Sequence, residues 1–387
     1  MTSGGNSGAS DSLKNPAKRP FHDLRASFLA QRDAIRGAVE RVLDSGWYIL
    51  GQEVRAFEAE FASFAGAKHA IGVGNATEAL QVALLGLDVK PGDDVLVPAL
   101  TAAPTAMAVC AVGARPVFVD IDPKSFTLDP ARLERALTQT TKVVIPVHLY
   151  GQCAEMDSIL HFAKRHGLPV IEDCAQCQGA ADRGRPAGSM GDVAAWSFYP
   201  TKNLGAFGDG GALTTQDGAL ALRLSRLRNY GAIENYDFVE PGLNARLDEM
   251  HAAILREKLK TLSANNEIRR DNARRYRESI QNPLVTLPFE RSDAFHVWHQ
   301  FVIRCQNGTA RDALRSHLTA RGLETLIHYP RALHQMQAFQ RADRGFAPIE
   351  PKEAARAAAE ILSLPIYPEM ARSHQDAVIA AVNEFRG

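Results

Sequence analysis

The sequence predicts an α/β protein, with a mainly parallel sheet of seven strands, helices on both faces, and a small C-terminal α+β domain. Three observations carry this. Short β-rich runs alternate with helical segments through the first half of the chain, the pattern of βαβ units. Two later strand candidates, Ala194–Tyr199 and Gly211–Thr215, are separated only by a Gly-rich loop. That loop is too short for a parallel crossover, so the second strand should run antiparallel to the first. From about residue 295 the order changes to strand, helix, strand and two helices.

Residues Met1–Pro20 are rich in Gly, Ser, Asn and Lys and lack the apolar centre of a secretory signal, so they read as a disordered tail. Leu24, Phe28, Ile35, Val39 and Val42 recur at helical spacing, and Val54, Phe57, Phe61 and Phe64 repeat it. Gly46 and Gly51 bracket a loop, Trp47-Tyr48-Ile49-Leu50. Strand runs follow at Ile71–Val73, Val95–Val97, Val117–Val119, Val143–Val147 and Val170–Ile171. Helices are expected between them at Glu78–Leu85, Thr105–Val112, Pro130–Leu137 and Met156–His166. Asp248–Tyr276 reads as one long helix or a helix pair, apolar at Ile254, Leu255, Leu259 and Leu262. Its doublets Arg269-Arg270 and Arg274-Arg275, with Glu267, Asp271 and Glu278 nearby, suit a solvated face. In the small domain we expect a strand at Gln300–Ile303, a helix at Ala310–Arg321 and a strand at Glu324–His328. Helices near Pro351–Leu362 and Ser373–Phe385 complete it. The division is a tail over 1–20, a large domain over 21–262 and a small domain over 263–387.

Length and composition narrow the function. A chain of 387 residues can bury a core without disulfides or metals. Lys plus Arg and Asp plus Glu both number 44, which argues against a nucleic-acid binder led by bulk charge. No stretch approaches the roughly 18 apolar residues of a membrane helix. The five cysteines (110, 153, 174, 177 and 305) are odd in number and scattered, which fits a reducing cytosol better than a disulfide framework. Cys174 and Cys177 form a CxxC, but no second CxxC accompanies it, so neither a metal site nor a redox pair is favoured.

Three pieces could carry chemistry. The run Val170-Ile171-Glu172-Asp173 ends an apolar strand in two carboxylates, where open α/β sheets hold ligands. Taken alone, Asp173 reads more readily as a helix cap or a solvated strand end than as a ligand contact. Lys202 follows a second strand in Tyr199-Pro200-Thr201-Lys202-Asn203, 29 positions later, about one crossover. A lone loop Lys is usually a surface charge, but in a pocket burial lowers its pKa and makes it a nucleophile. Third, Gly72-Val73-Gly74-Asn75-Ala76-Thr77 turns from a strand straight into a helix, whose first N–H groups, with the Thr77 hydroxyl, can seat an anion. It is neither a Walker loop nor a GxGxxG turn. A phosphate seat, an Asp for a pyridine nitrogen and an imine-forming Lys are together what pyridoxal phosphate requires.

With these pieces in place, the chain resembles the DegT/DnrJ/EryC1/StrS sugar aminotransferases, of the fold type I pyridoxal-phosphate enzymes. The resemblance runs from about Pro20 to the C-terminus. It rests on Tyr48-Ile49-Leu50-Gly51, Pro146–Gln152, Ile171–Gln176, Ser197–Gly205 and Gly242–Glu249. It implies that the large domain binds pyridoxal phosphate, with Lys202 as the imine-forming lysine and Asp173 as partner of the pyridine nitrogen. Gln176 falls near the ring hydroxyl, and Ser197, Ala76 and Thr77 on the phosphate. Asn244 reaches the phosphate of a neighbouring subunit, which implies a homodimer with shared sites. Two positions depart from the family pattern. Ala102 stands where an aromatic often stacks on the cofactor ring, and Ala76 stands where Gly is usual.

A related dehydratase branch carries His in place of the lysine, so Lys202 favours transamination. The segment Leu326-Ile327-His328-Tyr329-Pro330 looks like the branch acting on 3-oxo sugar-nucleotides, dTDP- or UDP-linked. His328, Tyr329, Trp47, Tyr48, Tyr199 and Tyr230 are the candidate substrate contacts. The expected reaction moves an amino group from L-glutamate to such a keto sugar, in the cytoplasm, with no metal, nucleic acid or membrane as partner. The alternatives are a pyridoxal-phosphate sugar dehydratase or other cofactor enzyme, and a non-catalytic, cofactor-binding regulatory protein.

Overall fold

A computed structural model of the protein describes residues 18–234, 236–341 and 345–387. The expected tail falls on residues 1–17, outside the described residues, and on 18–20, where Arg19 bridges in parallel to Leu323.

Seven strands form the central sheet. In spatial order they are His69–Val73, Gly211–Thr215, Val193–Ser197, Ile171–Asp173, Thr141–Val144, Asp94–Pro98 and Arg115–Val119. A four-stranded and a three-stranded section join through the parallel bridges Val144–Val170 and Val147–Asp173. Gly211–Thr215 pairs antiparallel with both its neighbours, and the other pairings are parallel. The short Gly-rich return therefore reverses the chain as its length requires. Central strands such as Val193–Ser197 are buried along their whole length, because helices cover both faces.

The crossover helices lie at Ala76–Gly86, Ala103–Ala111 and Met156–His166, with a short 3₁₀ and α segment over Pro130–Ala136. Asn75 caps the first of these, its side chain accepting from the N–H of Glu78 at 2.9 Å. Preceding them, Leu24–Ala30, Arg32–Ser45 and Gln52–Phe64 make up the N-terminal helices.

Glu249–Ser279 is one continuous helix of 31 residues, not a pair. Leu255 and Leu262 pack with Phe57, Phe61 and Trp196, whereas Ala273 and Tyr276 pack with Trp298 and Phe301. Arg269 does not lie on a solvated face. It is 2% exposed and donates to the carbonyls of Trp298 and Ile366. Arg274 does face solvent, paired with Asp271 at 2.9 Å.

In the C-terminal part, Val285–Thr286, Phe301–Cys305 and Ile361–Leu364 form an antiparallel sheet, with helices at Gly308–Ala320, Lys352–Glu360 and Arg372–Glu384. Two expectations change here. The run Glu324–His328 is not a strand but a single bridge, Leu326 to Ser363. Pro330, which has no N–H to donate, closes the run soon after. The last helix before residue 362 stops at Glu360, because Ile361, Leu362 and Leu364 are drawn into the sheet core.

Candidate active site

Asp173 ends its strand, Lys202 follows the end of the adjacent parallel strand, and the Ala76–Gly86 helix starts beside both. The sheet places all three at one edge, the carboxyl end of its parallel strands.

Asp173 is buried. One of its oxygens accepts from Thr105 Oγ1 at 2.8 Å and the other from the N–H of Ala175 at 3.1 Å. Desolvation outweighs these donors and the nearby charge of Lys202, and raises the carboxyl above its usual range. A carboxylate has about four lone-pair sites, so Asp173 can still accept from a protonated ring nitrogen. Lys202 is half-buried, and desolvation lowers its amine to about 8 against the opposing pull of Asp173. That is the direction a nucleophilic amine needs.

The turn carrying Lys202 is pinned from several sides. The N–H of Lys202 donates to the Tyr199 carbonyl at 2.8 Å. Asn203 donates to Asn266 Oδ1 at 2.9 Å and to the Val297 carbonyl at 3.0 Å. A Cβ on Gly205 would lie 2.4 Å from the Pro200 carbonyl oxygen, so only Gly closes this turn.

The phosphate seat depends on another Gly. Gly211 pairs with Ser197 across the sheet, and a Cβ there would lie 2.5 Å from the Asn75 carbonyl carbon and 2.9 Å from the Ala76 nitrogen. Its absence lets Ser197 and the helix start come together. The first-turn N–H groups of Ala76 and Thr77 have no intrahelical acceptor and stand free for an anion. Ala76 is not among the residues with positive φ, so Ala in place of Gly costs the turn nothing. Burial, with the charge of Asp209, raises the Glu78 carboxyl on the same turn.

Gln176 is clamped at both ends, its oxygen accepting from the Tyr150 N–H at 2.8 Å and its nitrogen meeting the Tyr329 hydroxyl at 2.9 Å. Tyr150 donates to the His328 carbonyl, and His328 Nδ1 lies 2.9 Å from Ser363 Oγ. Gln176, His328 and Tyr329, far apart in sequence, thus share one hydrogen-bond network, and the charge of Asp173 acts on Tyr329. Ala102 is the half-buried residue before the Ala103–Ala111 helix. Trp47, Tyr48, Tyr199, Tyr230 and Asn244 are instead exposed.

Sequence reasoning missed Thr105, Tyr150 and His299 as site residues. Burial and the charge of Lys202 hold the buried His299 well below its usual pKa, and Asn203 Oδ1 lies 3.2 Å from its Nδ1. No local pattern marks Thr105 or His299, which reach the site only through the fold, whereas Tyr150 lies in the Pro146–Gln152 stretch, without a role assigned from sequence. His148 also joins Cys174 and Cys177 in a buried group whose possible ligand atoms lie within 4.8 Å of one another. Both its ring nitrogens are committed, Nδ1 accepting from the Ala154 N–H at 3.0 Å and Nε2 donating to Glu172 at 2.9 Å. Burial raises both thiols.

These residues fit pyridoxal 5′-phosphate. They supply a buried acid with spare acceptor sites, an amine of lowered pKa, and a cradle that a single Cβ at position 211 would fill. Among the described residues no helix is long and apolar enough to cross a membrane.

Comparison with known proteins agrees. The model of the DegT/DnrJ/EryC1/StrS aminotransferase family matches residues 30–383. The chain is 47% identical to the erythromycin biosynthesis sensory transduction protein EryC1 of Saccharopolyspora erythraea, over 94% of this chain and 98% of that one. It is 46% identical to the dTDP-3-amino-3,4,6-trideoxy-alpha-D-glucose transaminase of Streptomyces venezuelae, over 95% and 96%. The crystal structure of S. venezuelae DesV in complex with a ketimine intermediate superposes with a TM-score of 0.91 at 46% identity, covering 95% of this chain and 98% of that one.

Proposed function

Because the chain belongs to the DegT/DnrJ/EryC1/StrS aminotransferase family, we propose that it is a pyridoxal-phosphate-dependent aminotransferase that makes an amino sugar-nucleotide from a keto sugar-nucleotide. We read the acceptor as a 3-oxo hexose joined to dTDP or UDP and the donor as L-glutamate. The S. venezuelae relative, whose name specifies a dTDP-linked 3-amino sugar, supports the first part of that reading. The observation that carries the proposal is the meeting of Asp173 and Lys202 at the ends of adjacent parallel strands, next to an open helix start.

When bound, the cofactor supplies an electron sink that makes the donor's α-proton acidic. In this reading Ala76, Thr77 and Ser197 hold the phosphate, Asp173 holds the ring nitrogen protonated, and Gln176 faces the ring hydroxyl. Ala102, half-buried before the Ala103–Ala111 helix, would line the cofactor's seat but has no ring to stack on it. Lys202 anchors the cofactor and, once released, carries a proton at Nζ from the donor carbon to the cofactor. A pKa of about 8 leaves part of the amine neutral near pH 7.5, as a general base needs. Residues 21–262 serve as the cofactor domain and 263–387 as the small domain, with His328 and Tyr329 brought from the second to the first.

We read the working unit as a cytoplasmic homodimer. Trp47, Tyr48, Tyr199, Tyr230 and Phe238 are 44–63% exposed and Tyr236 is 92% exposed, large apolar side chains that would suit burial against a second copy. In this reading Asn244, exposed and bridged to Asn229, would reach a second copy's phosphate, and the aromatic residues would line that copy's substrate entrance.

The test is a coupled assay with L-glutamate and a panel of dTDP- and UDP-linked keto sugars. Glutamate-dependent 2-oxoglutarate release, repeated on each addition of sugar, supports transamination. Water loss would make the protein a dehydratase. The name of the S. erythraea relative supports a regulatory reading, and cofactor binding without any turnover would favour it.

A further inference from the structure

Resting on the cofactor reading above, we propose that Tyr329 is the positioning residue for Gln176: its hydroxyl holds the Gln176 amide so that the remaining N–H faces the cofactor's ring oxygen.

The argument starts from which way the amide points. Gln176 Oε1 lies 2.8 Å from the Tyr150 backbone nitrogen, and a backbone N–H can only donate, so this end of the amide must be the oxygen. The other end, Nε2, lies 2.9 Å from Tyr329 Oη and must donate to it. The Tyr329 hydroxyl is then an acceptor in this bond, and its own proton is free for a third group. One N–H of Gln176 is free as well. Two unspent donors therefore end side by side, near the charge of Asp173. Burial and Asp173 raise the Tyr329 phenol, so it stays neutral and able to donate. Donors grouped beside a buried carboxylate suit a negatively charged oxygen on a ring whose protonated nitrogen that carboxylate holds.

Tyr329 is itself held in place. Tyr150 donates to the carbonyl of the preceding His328, and the His328 ring is 2.9 Å from Ser363. The amide of Gln176 is thus set jointly by the 149–151 turn and by a segment some 150 residues later, as the separation of 153 positions between Gln176 and Tyr329 records.

Tyr329→Phe keeps the ring and removes the hydroxyl, both the acceptor that holds Gln176 and its own free donor. It should be measured in the full-length protein for cofactor dissociation constant, for the pH midpoint of the visible band of the lysine-bound cofactor, and for melting temperature without cofactor. Loss of one neutral hydrogen bond should raise the dissociation constant about fivefold. The midpoint should move up by about half a unit, because an unshielded ring oxygen holds the neighbouring Lys202 proton more tightly. The cofactor-free melting temperature should stay within about 2 °C, since a purely structural loss would act there first. Gln176→Met should give its own upward shift, and the double variant should add little to it, because the two residues act through one bond. Unchanged affinity and midpoint in Tyr329→Phe, or fully additive shifts in the double variant, would overturn the proposal. If the wild-type protein takes up no cofactor at all, the reading of the site fails instead, and the two failures are told apart.

Discussion

The hydroxyl of Thr105 donates to Asp173 Oδ2 at 2.8 Å, and Thr101 Oγ1 lies 3.2 Å behind it. Because Thr105 spends its proton on the carboxylate, the Thr101 hydroxyl is the donor in the second bond. Two hydroxyls in series thus hold one face of Asp173 while the Ala175 N–H holds the other. Thr105→Val removes a bond to a charged acceptor without changing the side chain's shape. We expect the cofactor dissociation constant to rise by about ten- to a hundredfold, because such bonds contribute about 1.5–3 kcal/mol. Titration of apoprotein with pyridoxal phosphate, followed by absorbance, measures this.

Lys202→Ala should abolish both turnover and the borohydride-trappable visible band. Normal turnover in that variant would defeat the assignment.

Lys202 also gives a stability signature that needs no cofactor. Its folded pKa of about 8 lies below its unfolded value of about 10.4, so between them the unfolded chain binds more protons and stability rises with pH. Below pH 8 the ammonium, desolvated by the fold, costs stability in full. Cofactor-free Lys202→Met should therefore melt higher than wild type at pH 7, and the gap should close as pH approaches 10. Melting scans across that range decide it, and a gap independent of pH would contradict the shift.

Glu172 accepts from the N–H groups of Gly188, Met190 and Gly191 at 2.9, 2.8 and 2.6 Å, and from His148 at 2.9 Å. Burial works against this carboxylate, yet the donors hold it below its usual range. Glu172→Ala strands all four donors and should cost about 3–5 kcal/mol, read as a lower urea midpoint. Its stabilisation is present above the usual carboxylate range and is lost as pH falls through the depressed folded value.

Tyr236→Asp with Phe238→Asp places charge on the exposed apolar loop. The expected outcome is a shift toward monomer in sedimentation analysis, with weaker cofactor retention if Asn244 completes the neighbouring site. An unchanged mass would remove this face from the interface.

Much of this was legible in the chain. Gly211–Thr215 had to run antiparallel because its loop is too short for a crossover, and it does. The helix start after Val73 was readable from its small residues, since the cap bond from Asn75 to Glu78 spans only three positions. The strand expected at Glu324–His328 and the helix expected to reach Leu362 were not legible. Whether Leu362 extends a helix or joins a sheet depends on Ile303, its partner in the register, 59 positions away.

By itself, the sequence determined the alternation of strands and helices, and with it the delivery of Asp173 and Lys202 to one edge of a parallel sheet. Those outcomes follow from apolar periodicity and loop length, which act over a few residues. Only the tertiary structure decided that Thr105 holds Asp173, that Asn203 ties the Lys202 turn to Asn266 and Val297, and that Tyr329 meets Gln176. Each of these contacts joins residues 63 or more positions apart. A hydroxyl or an amide carries no mark of its partner until packing removes water and leaves one acceptor within reach.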